Sequence, residues 1–343
     1  MNKKVAQNIV DEFHTLDYDP QFISSHWKHR NKSKVFSVSE LESFRKPFGL
    51  SFGLDDRWTG EISSLLLDTL RDVPSKFVFR SCPKENIGNS IDILKLKDVY
   101  MSGNDLVHTH WAYTLYSKIK NSVENKENFS VLEIGGGYGL LCRILERNMD
   151  IYSYSIVELP LSASLAAYYL SMSVDATITL NGKEVNSSNS GRFVNIYTVG
   201  DESWMNNKYD LVINTRSMME MDKKTINYYF DAIQKTCNIG GYFLNINRYH
   251  KNSVGDDIEI SEFPYDENWT VIESKPSFKQ EWIHYLLTQR EDRGSDISTE
   301  LIEIRKLRDY YRKITLLMLW NDRLPSTLQK IIKPVYKFIE KRC

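Results

Sequence analysis

Apolar positions in the middle of the chain come in short runs separated by helical spacings, whereas helical spacing alone dominates both ends. From Asn2 to about Asn128 the pattern is mostly helical. A strand-like run at Lys76 to Arg80 is the exception, with turn signals at Arg45-Lys46-Pro47 and Ser81-Cys82-Pro83. Leu106 to Lys120 predicts a helix with Leu106, Trp111, Leu115 and Ile119 along one face. From Phe129 the period changes. A strand runs into a glycine turn at Gly135 to Gly139, Leu140 to Arg147 predicts a crossover helix, Tyr152 to Val157 a second strand, and Pro160 to Leu170 a helix opened by proline. Ala176 to Leu180 and Phe193 to Thr198 are strand candidates on either side of a polar stretch, Asn181 to Gly191, that predicts an exposed loop. Tyr209 to Asn214 is a strand, Lys223 to Cys237 a helix, Gly240-Gly241 a turn and Tyr242 to Ile246 a strand. Trp269 to Ser274 and Trp282 to Thr288 follow without a helix between them, as a hairpin would. Beyond Gln289 the spacing is helical again, through Leu301, Ile304, Arg308, Tyr311, Ile314 and Met318, then Leu328, Ile331, Val335 and Phe338.

Repeated strand–helix–strand units predict an α/β fold with a doubly wound, mostly parallel sheet. Three parts are expected: a helical N-terminal cap over residues 1–128, a core over 129–290 and a helical extension over 291–343. The aromatic residues crowded into the first part (Phe44, Phe48, Phe52, Trp58, Phe77, Phe79, Tyr100, Trp111, Tyr113, Tyr116) suit a small core better than a carbohydrate-stacking surface.

Composition narrows the function classes. A formal net charge of −1, with no block of like charges, gives no general attraction to nucleic acid. The four cysteines, Cys82, Cys142, Cys237 and Cys343, are scattered without metal-binding spacing, which fits a reducing compartment. Neither a signal-peptide core nor an apolar run of membrane-spanning length occurs, so a cytoplasmic protein is expected. The last helical run carries Lys330, Lys333, Lys337, Lys341 and Arg342 on its polar side and reads as a docked or dimerising helix more readily than as one lying on an anionic membrane.

The chemistry centres on Ser130 to Leu141. Four glycines, Gly135, Gly136, Gly137 and Gly139, follow a strand and precede a helix, which lets the backbone turn at positive φ and approach a ligand closely. Dinucleotide binding needs a third glycine where Leu140 stands. Glu133 would also repel a pyrophosphate, whereas S-adenosylmethionine carries an ammonium, a sulfonium and a single carboxylate. Glu158, 25 positions after Glu133, ends the next strand, where doubly wound folds keep an acid for ribose hydroxyls.

Glu133-x-Gly135-x-Gly137-x-Gly139 resembles the first motif of the class I S-adenosylmethionine-dependent methyltransferases, which implies a Rossmann-like, seven-stranded sheet closed by an antiparallel hairpin. Together with Val157-Glu158-Leu159-Pro160, Asn214-Thr215-Arg216-Ser217-Met218-Met219-Glu220-Met221 and Asn245-Ile246-Asn247-Arg248-Tyr249-His250, it resembles the sugar O-methyltransferases of bacterial surface-polysaccharide gene clusters over about Leu106 to Arg248. Two positions depart from that pattern. Arg216 stands where an acid is expected and opens the question of an anionic acceptor, and Glu158 replaces the commoner aspartate while keeping the carboxylate.

These motifs imply S-adenosylmethionine as cofactor, held by Glu133, Gly135, Gly137, Gly139, Glu158 and Asn214, with Gly135 and Gly137 near its carboxylate and Asp201 near its adenine. Glu220 is expected to carry catalysis, with His110, His108 and His250 as the other candidate bases and Arg248 orienting the acceptor. Ser217, Asn247, His108 and His250 are expected to bind substrate. Glu220 also reads as an acid capping the next helix, and the histidines as structural or loop residues. Asp256-Asp257, the adjacent acid pair near a strand end, reads as a solvated loop, and no metal is expected. Methyl transfer to a sugar hydroxyl is the leading expectation. A natural-product scaffold as acceptor and an inactive scaffolding fold are the alternatives.

Overall fold

The computed structural model describes residues 3–16, 37–46, 50, 62–251 and 256–322, with backbone alone for 311–322. Helices α1 (Lys3–Phe13), α2 (Val38–Glu42), α3 (Ile62–Asp72) and α4 (Ser75–Ser81) precede a small hairpin, β1 (Leu94–Leu96) and β2 (Val99–Met101), and the long helix α5 (Gly103–Glu124). The core then runs β3 (Ser130–Ile134), α6 (Leu140–Asn148), β4 (Ser153–Glu158), α7 (Pro160–Ser171), β5 (Thr177–Leu180), β6 (Lys183–Asn186), β7 (Phe193–Thr198), β8 (Tyr209–Thr215), α8 (Lys223–Thr236) and β9 (Cys237–Arg248). A two-stranded ribbon, β10 (His250–Lys251) and β11 (Ile258–Glu259), leads to β12 (Trp269–Ser277), β13 (Gln280–Arg290) and α9 (Ile297–Asp322).

One nine-stranded sheet has the order β12-β13-β9-β8-β3-β4-β7-β5-β6. The pairings β3–β4, β4–β7, β5–β7, β3–β8 and β8–β9 are parallel, whereas β13 lies antiparallel between β9 and β12. The chain therefore starts at β3, steps to β4, crosses to the edge hairpin β5–β6, inserts β7 between β4 and β5, and returns to lay β8 and β9 on the other side. This is the doubly wound arrangement with the expected closing hairpin. Successive residues of a strand serve opposite faces. Val131 and Ile156 join the core built with α1, α5, α6 and α7, while Leu132 and Val157 join the core built with α8 and α9. Since both faces are covered, Leu211 to Ile213 of β8 form a continuous apolar run between Asp210 and Asn214, as in buried parallel strands.

The N-terminal helices and the α6–α7 side of the sheet share one continuous apolar core. Phe44, Phe77 and Trp111 are buried in it, which accounts for part of the aromatic density, while Phe48, Phe52 and Trp58 lie outside the described residues. A buried ion pair reinforces this joint. Arg143 of α6 donates from Nη2 to Asp105 of α5 at 2.5 Å, and Asp105 also accepts from the Ser102 backbone and hydroxyl in a capping box that starts α5. The Arg143 and Arg45 guanidiniums and the Ser102 donors hold the Asp105 carboxyl below the usual carboxylate range although it is buried. Breaking such a buried pair by removing one partner typically costs about 3–5 kcal/mol, because the other charge is left uncompensated.

Several boundaries differ from the sequence reading. Lys76 to Arg80 is not a strand but lies within α4, which buries Phe77, Val78 and Ser81. Three apolar residues, Phe77 to Phe79, between Lys76 and Arg80 fit either period, and here packing chooses the helix. The stretch Asn181 to Gly191 is not all loop. Asn181 and Gly182, with φ of 46° and 78°, form a two-residue turn that pairs β6 against β5 and widens the expected seven-stranded sheet. Strand β9 begins at Cys237 and runs through Gly240-Gly241, taking up the extra residues as a register shift against β8. The run Leu328 to Phe338 and its basic face lie outside the described residues. Among the described residues, no helix is long and apolar enough to cross a membrane.

Candidate functional site

The carboxyl ends of β3, β4 and β8 open into a crevice bordered by the glycine turn, Glu133, Glu158, the segment Thr215–Ser217, Glu220 and His108. It lies where the winding of the sheet reverses at β3, the place at which open α/β sheets bind ligands.

The turn is built for close approach rather than for free donors. Gly135, Gly137 and Gly139 have φ of 73°, 59° and 86°. Their N–H groups are already engaged, with the Val157 carbonyl at 2.8 Å, Glu158 Oε2 at 2.7 Å and the Gly136 carbonyl at 3.0 Å. Gly135 and Gly137 both border the crevice, but with their N–H groups already engaged. What the glycines supply is the missing Cβ: one at Gly135 would fall 2.1 Å from Ser217 Oγ, and one at Gly139 2.8 Å from Leu170. Gly139 also caps the start of α6 and is not among the residues bordering the crevice.

Two acids face the crevice from below. Glu133 is buried in the middle of the sheet, where Oε2 accepts from the Tyr154 hydroxyl at 2.8 Å and Oε1 has no hydrogen-bond partner. Burial pushes its carboxyl up to about 7, against the pull of Tyr154. Glu158 ends β4, accepting from Gly137 N and from Leu159 N at 2.7 Å. Burial likewise raises it to about 7, although both N–H groups oppose the shift.

The third wall follows β8. Asn214 Nδ2 donates to the Ile134 carbonyl and to Ser217 Oγ, and its Oδ1 accepts from Asn247 Nδ2 at 2.8 Å. Ser217 Oγ donates to Ile134 O at 3.1 Å. This network ties β8, β9 and β3 together beneath the crevice. Asn214 and Asn247 are thus fully buried joints rather than lining residues, whereas Ser217 reaches the surface of the crevice. Arg216 adopts φ of 66°, anchored by its N–H on the Ile246 carbonyl at 2.7 Å. Glu220 follows on a 3₁₀ turn, with Oε1 3.5 Å from Lys251 Nζ.

No family model matches the chain, and no curated protein matches it. Among solved structures, the mitomycin 7-O-methyltransferase MmcR aligns at 14% identity and a TM-score of 0.35, over 55% of this chain and 57% of that one. The glycopeptide N-methyltransferase MtfA, in complex with S-adenosyl-L-methionine, aligns at 11% identity and a TM-score of 0.33, over 51% of this chain and 86% of that one. Both are methyltransferases. The strand order, rather than these partial likenesses, carries the fold assignment.

The remaining expected site residues separate. His108 borders the crevice, and its Nδ1 lies 2.9 Å from the Asn104 carbonyl. His110 does not: it stacks on Phe278 with ring centroids 3.9 Å apart, bonds Asp72 at 3.3 Å and faces a different cleft. The reason is helical geometry, since residues two apart on α5 point about 200° apart. Asp201 is also elsewhere, its Oδ1 accepting from Ser203 N at 2.9 Å and from Ser203 Oγ. Arg248, at the end of β9, is half-buried and outside the lining but close enough to act on Lys251. His250 sits in the β10–β11 ribbon, with Nε2 against Asp257. Asp256 and Asp257 are not simply solvated, because Asp256 accepts from Lys223 N at 3.1 Å while Asp257 takes His250. His250, Asp257 and Glu259 bring possible ligand atoms within 4.8 Å of one another, but Glu259 is paired with Arg308. Lys251 is the residue the sequence reading missed. It continues the run Arg248-Tyr249-His250 past the strand end, and that cationic run was the available signal.

Proposed function

We propose that the chain is an S-adenosylmethionine-dependent O-methyltransferase that methylates a sugar hydroxyl of a surface-glycan precursor. The supporting observation is Glu133, which borders the crevice beneath a glycine turn and whose Oε1 is buried without a hydrogen-bond partner. An unsatisfied buried acid is costly, and the cofactor's ammonium offers it a donor and a charge. Glu158 suits the ribose hydroxyls, since each of its oxygens accepts one backbone N–H and keeps a further lone pair. When bound, the cofactor supplies an electrophilic methyl on a sulfonium. The residues of the chain then align the acceptor oxygen and take its proton.

Two groups at the crevice can take that proton. Glu220 is a carboxylate beside Lys251. His108 has Nδ1 against a carbonyl, which only accepts, so in the neutral ring Nδ1 carries the hydrogen and Nε2 does not. Arg216, Glu220 and His108 make this end of the crevice polar, which suits a hydroxylated acceptor better than an aromatic natural product.

Glu158→Ala is expected to weaken S-adenosylmethionine binding about ten- to a hundredfold in calorimetry, the loss of a charge-assisted contact of ~1.5 to 3 kcal/mol. Unchanged affinity would remove Glu158 from the cofactor site. Transfer of labelled methyl to nucleotide-activated sugars but not to phenolic scaffolds supports the glycan reading, and the reverse pattern favours the natural-product alternative.

A further inference from the structure

We infer that Tyr154 is a positioning residue of the cofactor site, holding one oxygen of the Glu133 carboxylate so that the other stays available to the ammonium of S-adenosylmethionine. The inference rests on the cofactor reading above and adds the residue through which Glu133 is oriented. Strand register places that residue. Glu133 pairs with Ile156 of β4 and Ile213 of β8, both apolar, so the paired side chains offer its carboxyl no donor. Tyr154 lies two residues before Ile156, on the same face of β4, and its hydroxyl donates to Glu133 Oε2 at 2.8 Å. Oε1 is left buried without a hydrogen-bond partner.

The glycine turn restricts the same oxygen. A Cβ at Gly136 would fall 3.0 Å from Glu133 Oε2 and 3.1 Å from Ile156 Cγ2, so the carboxyl is fixed by a hydrogen bond and by close contact together. Charge matters as much as direction. Burial pushes the Glu133 carboxyl up to about 7, and the hydrogen bond from Tyr154 opposes that rise. Burial first, then Glu133 and Cys142, pushes the Tyr154 phenol well above its ordinary value, so it keeps its hydrogen and donates throughout the range in which Glu133 titrates. The surrounding groups are mostly acids. Glu158 ends β4, α6 contributes Cys142, which burial holds as a thiol, and Glu146, which pairs with Arg192, while His108 and Arg216 border the same crevice. Tyr154 is thus the hydroxyl donor that favours the ionised form of Glu133, which is the form an ammonium needs.

Tyr154→Phe removes the hydroxyl and keeps the ring, and calorimetry with two ligands isolates its effect. S-adenosylhomocysteine carries the ammonium, whereas 5′-methylthioadenosine keeps the adenosine and the sulfur without it. At about pH 6.5 the variant is expected to bind S-adenosylhomocysteine about ten- to a hundredfold more weakly, the range of a lost hydrogen bond to a charged group, and 5′-methylthioadenosine nearly as well as before. Without the hydroxyl Glu133 gives up its proton at higher pH, so the rise of S-adenosylhomocysteine affinity with pH should move upward and the deficit should narrow toward about pH 8.5. A packing defect would not move that rise. Gly136→Ala, at a position without the positive φ of Gly135 and Gly137, crowds Glu133 Oε2 while leaving the Tyr154 hydroxyl in place, and should show the same selective loss. In a Glu133→Gln background Tyr154→Phe should add little. Equal loss of both ligands in either single variant, an unmoved pH dependence, or additive losses in the double variant overturns the inference. Absence of S-adenosylhomocysteine binding by the unmodified chain would overturn the cofactor reading instead, and this inference with it.

Discussion

Gly135→Ala is expected to lose cofactor binding by more than about a hundredfold while the chain still folds. Two costs coincide at this position. The backbone φ of 73° is the left-handed region, which costs a residue with a Cβ roughly 1–2 kcal/mol. The new methyl would also fall 2.1 Å from Ser217 Oγ. Ser217 cannot simply rotate away, because its hydroxyl is held by Asn214 Nδ2 and the Ile134 carbonyl. Relief must come from moving the turn, and with it the Gly137 N–H that orients Glu158. Calorimetry measures the affinity, and circular dichroism with a cooperative melt establishes the fold. Near-native affinity would show that the turn does not approach the cofactor.

Glu220→Gln should lower turnover by about a hundred- to ten-thousandfold if Glu220 accepts the acceptor's proton, the usual contribution of a general base. The amide keeps the size of the side chain and abolishes its basicity, so affinity for S-adenosylmethionine should hold. Near-normal turnover would transfer the role to His108, and His108→Gln would then carry the loss. His110→Gln serves as the control, because His110 stacks on Phe278 away from the crevice and should leave turnover within a few-fold.

What the sequence disclosed follows from which forces are local. Strand β8, α7 and the glycine turn were legible because burial on both faces, a proline at the first helical turn and a run of glycines are written in adjacent residues. The Asn181-Gly182 hairpin was equally local and went unread beneath a polar stretch. Which histidine borders the crevice was not legible. His108 and His110 differ by two positions, and only the way α5 docks, fixed by the distant Asp105–Arg143 pair, decides which one meets the crevice. Asn214 and Asn247 looked like ligands because they follow strand ends. In the fold Asn214 Nδ2 donates to the Ile134 carbonyl, while Asn247 Nδ2 donates to Asn214 Oδ1 and Asn245 Oδ1, linking the ends of three strands. Lys251 was hidden because its partner, Glu220, is 31 residues earlier in the chain.

Binding of S-adenosylmethionine to the unmodified chain, followed by titration calorimetry between pH 6 and pH 8, tests the central claim most directly. Glu133 and Glu158 both sit at about 7 in the ligand-free chain. A cationic ligand favours their charged forms, so binding below that value must expel protons, whereas above it the carboxylates are already ionised. Affinity should therefore be highest near pH 8 and weaken toward pH 6, approaching about tenfold per pH unit for each proton released. Saturable one-to-one binding at pH 8 that weakens with proton release at pH 6 is the predicted result. No binding heat at pH 8 from protein that melts cooperatively would contradict the account.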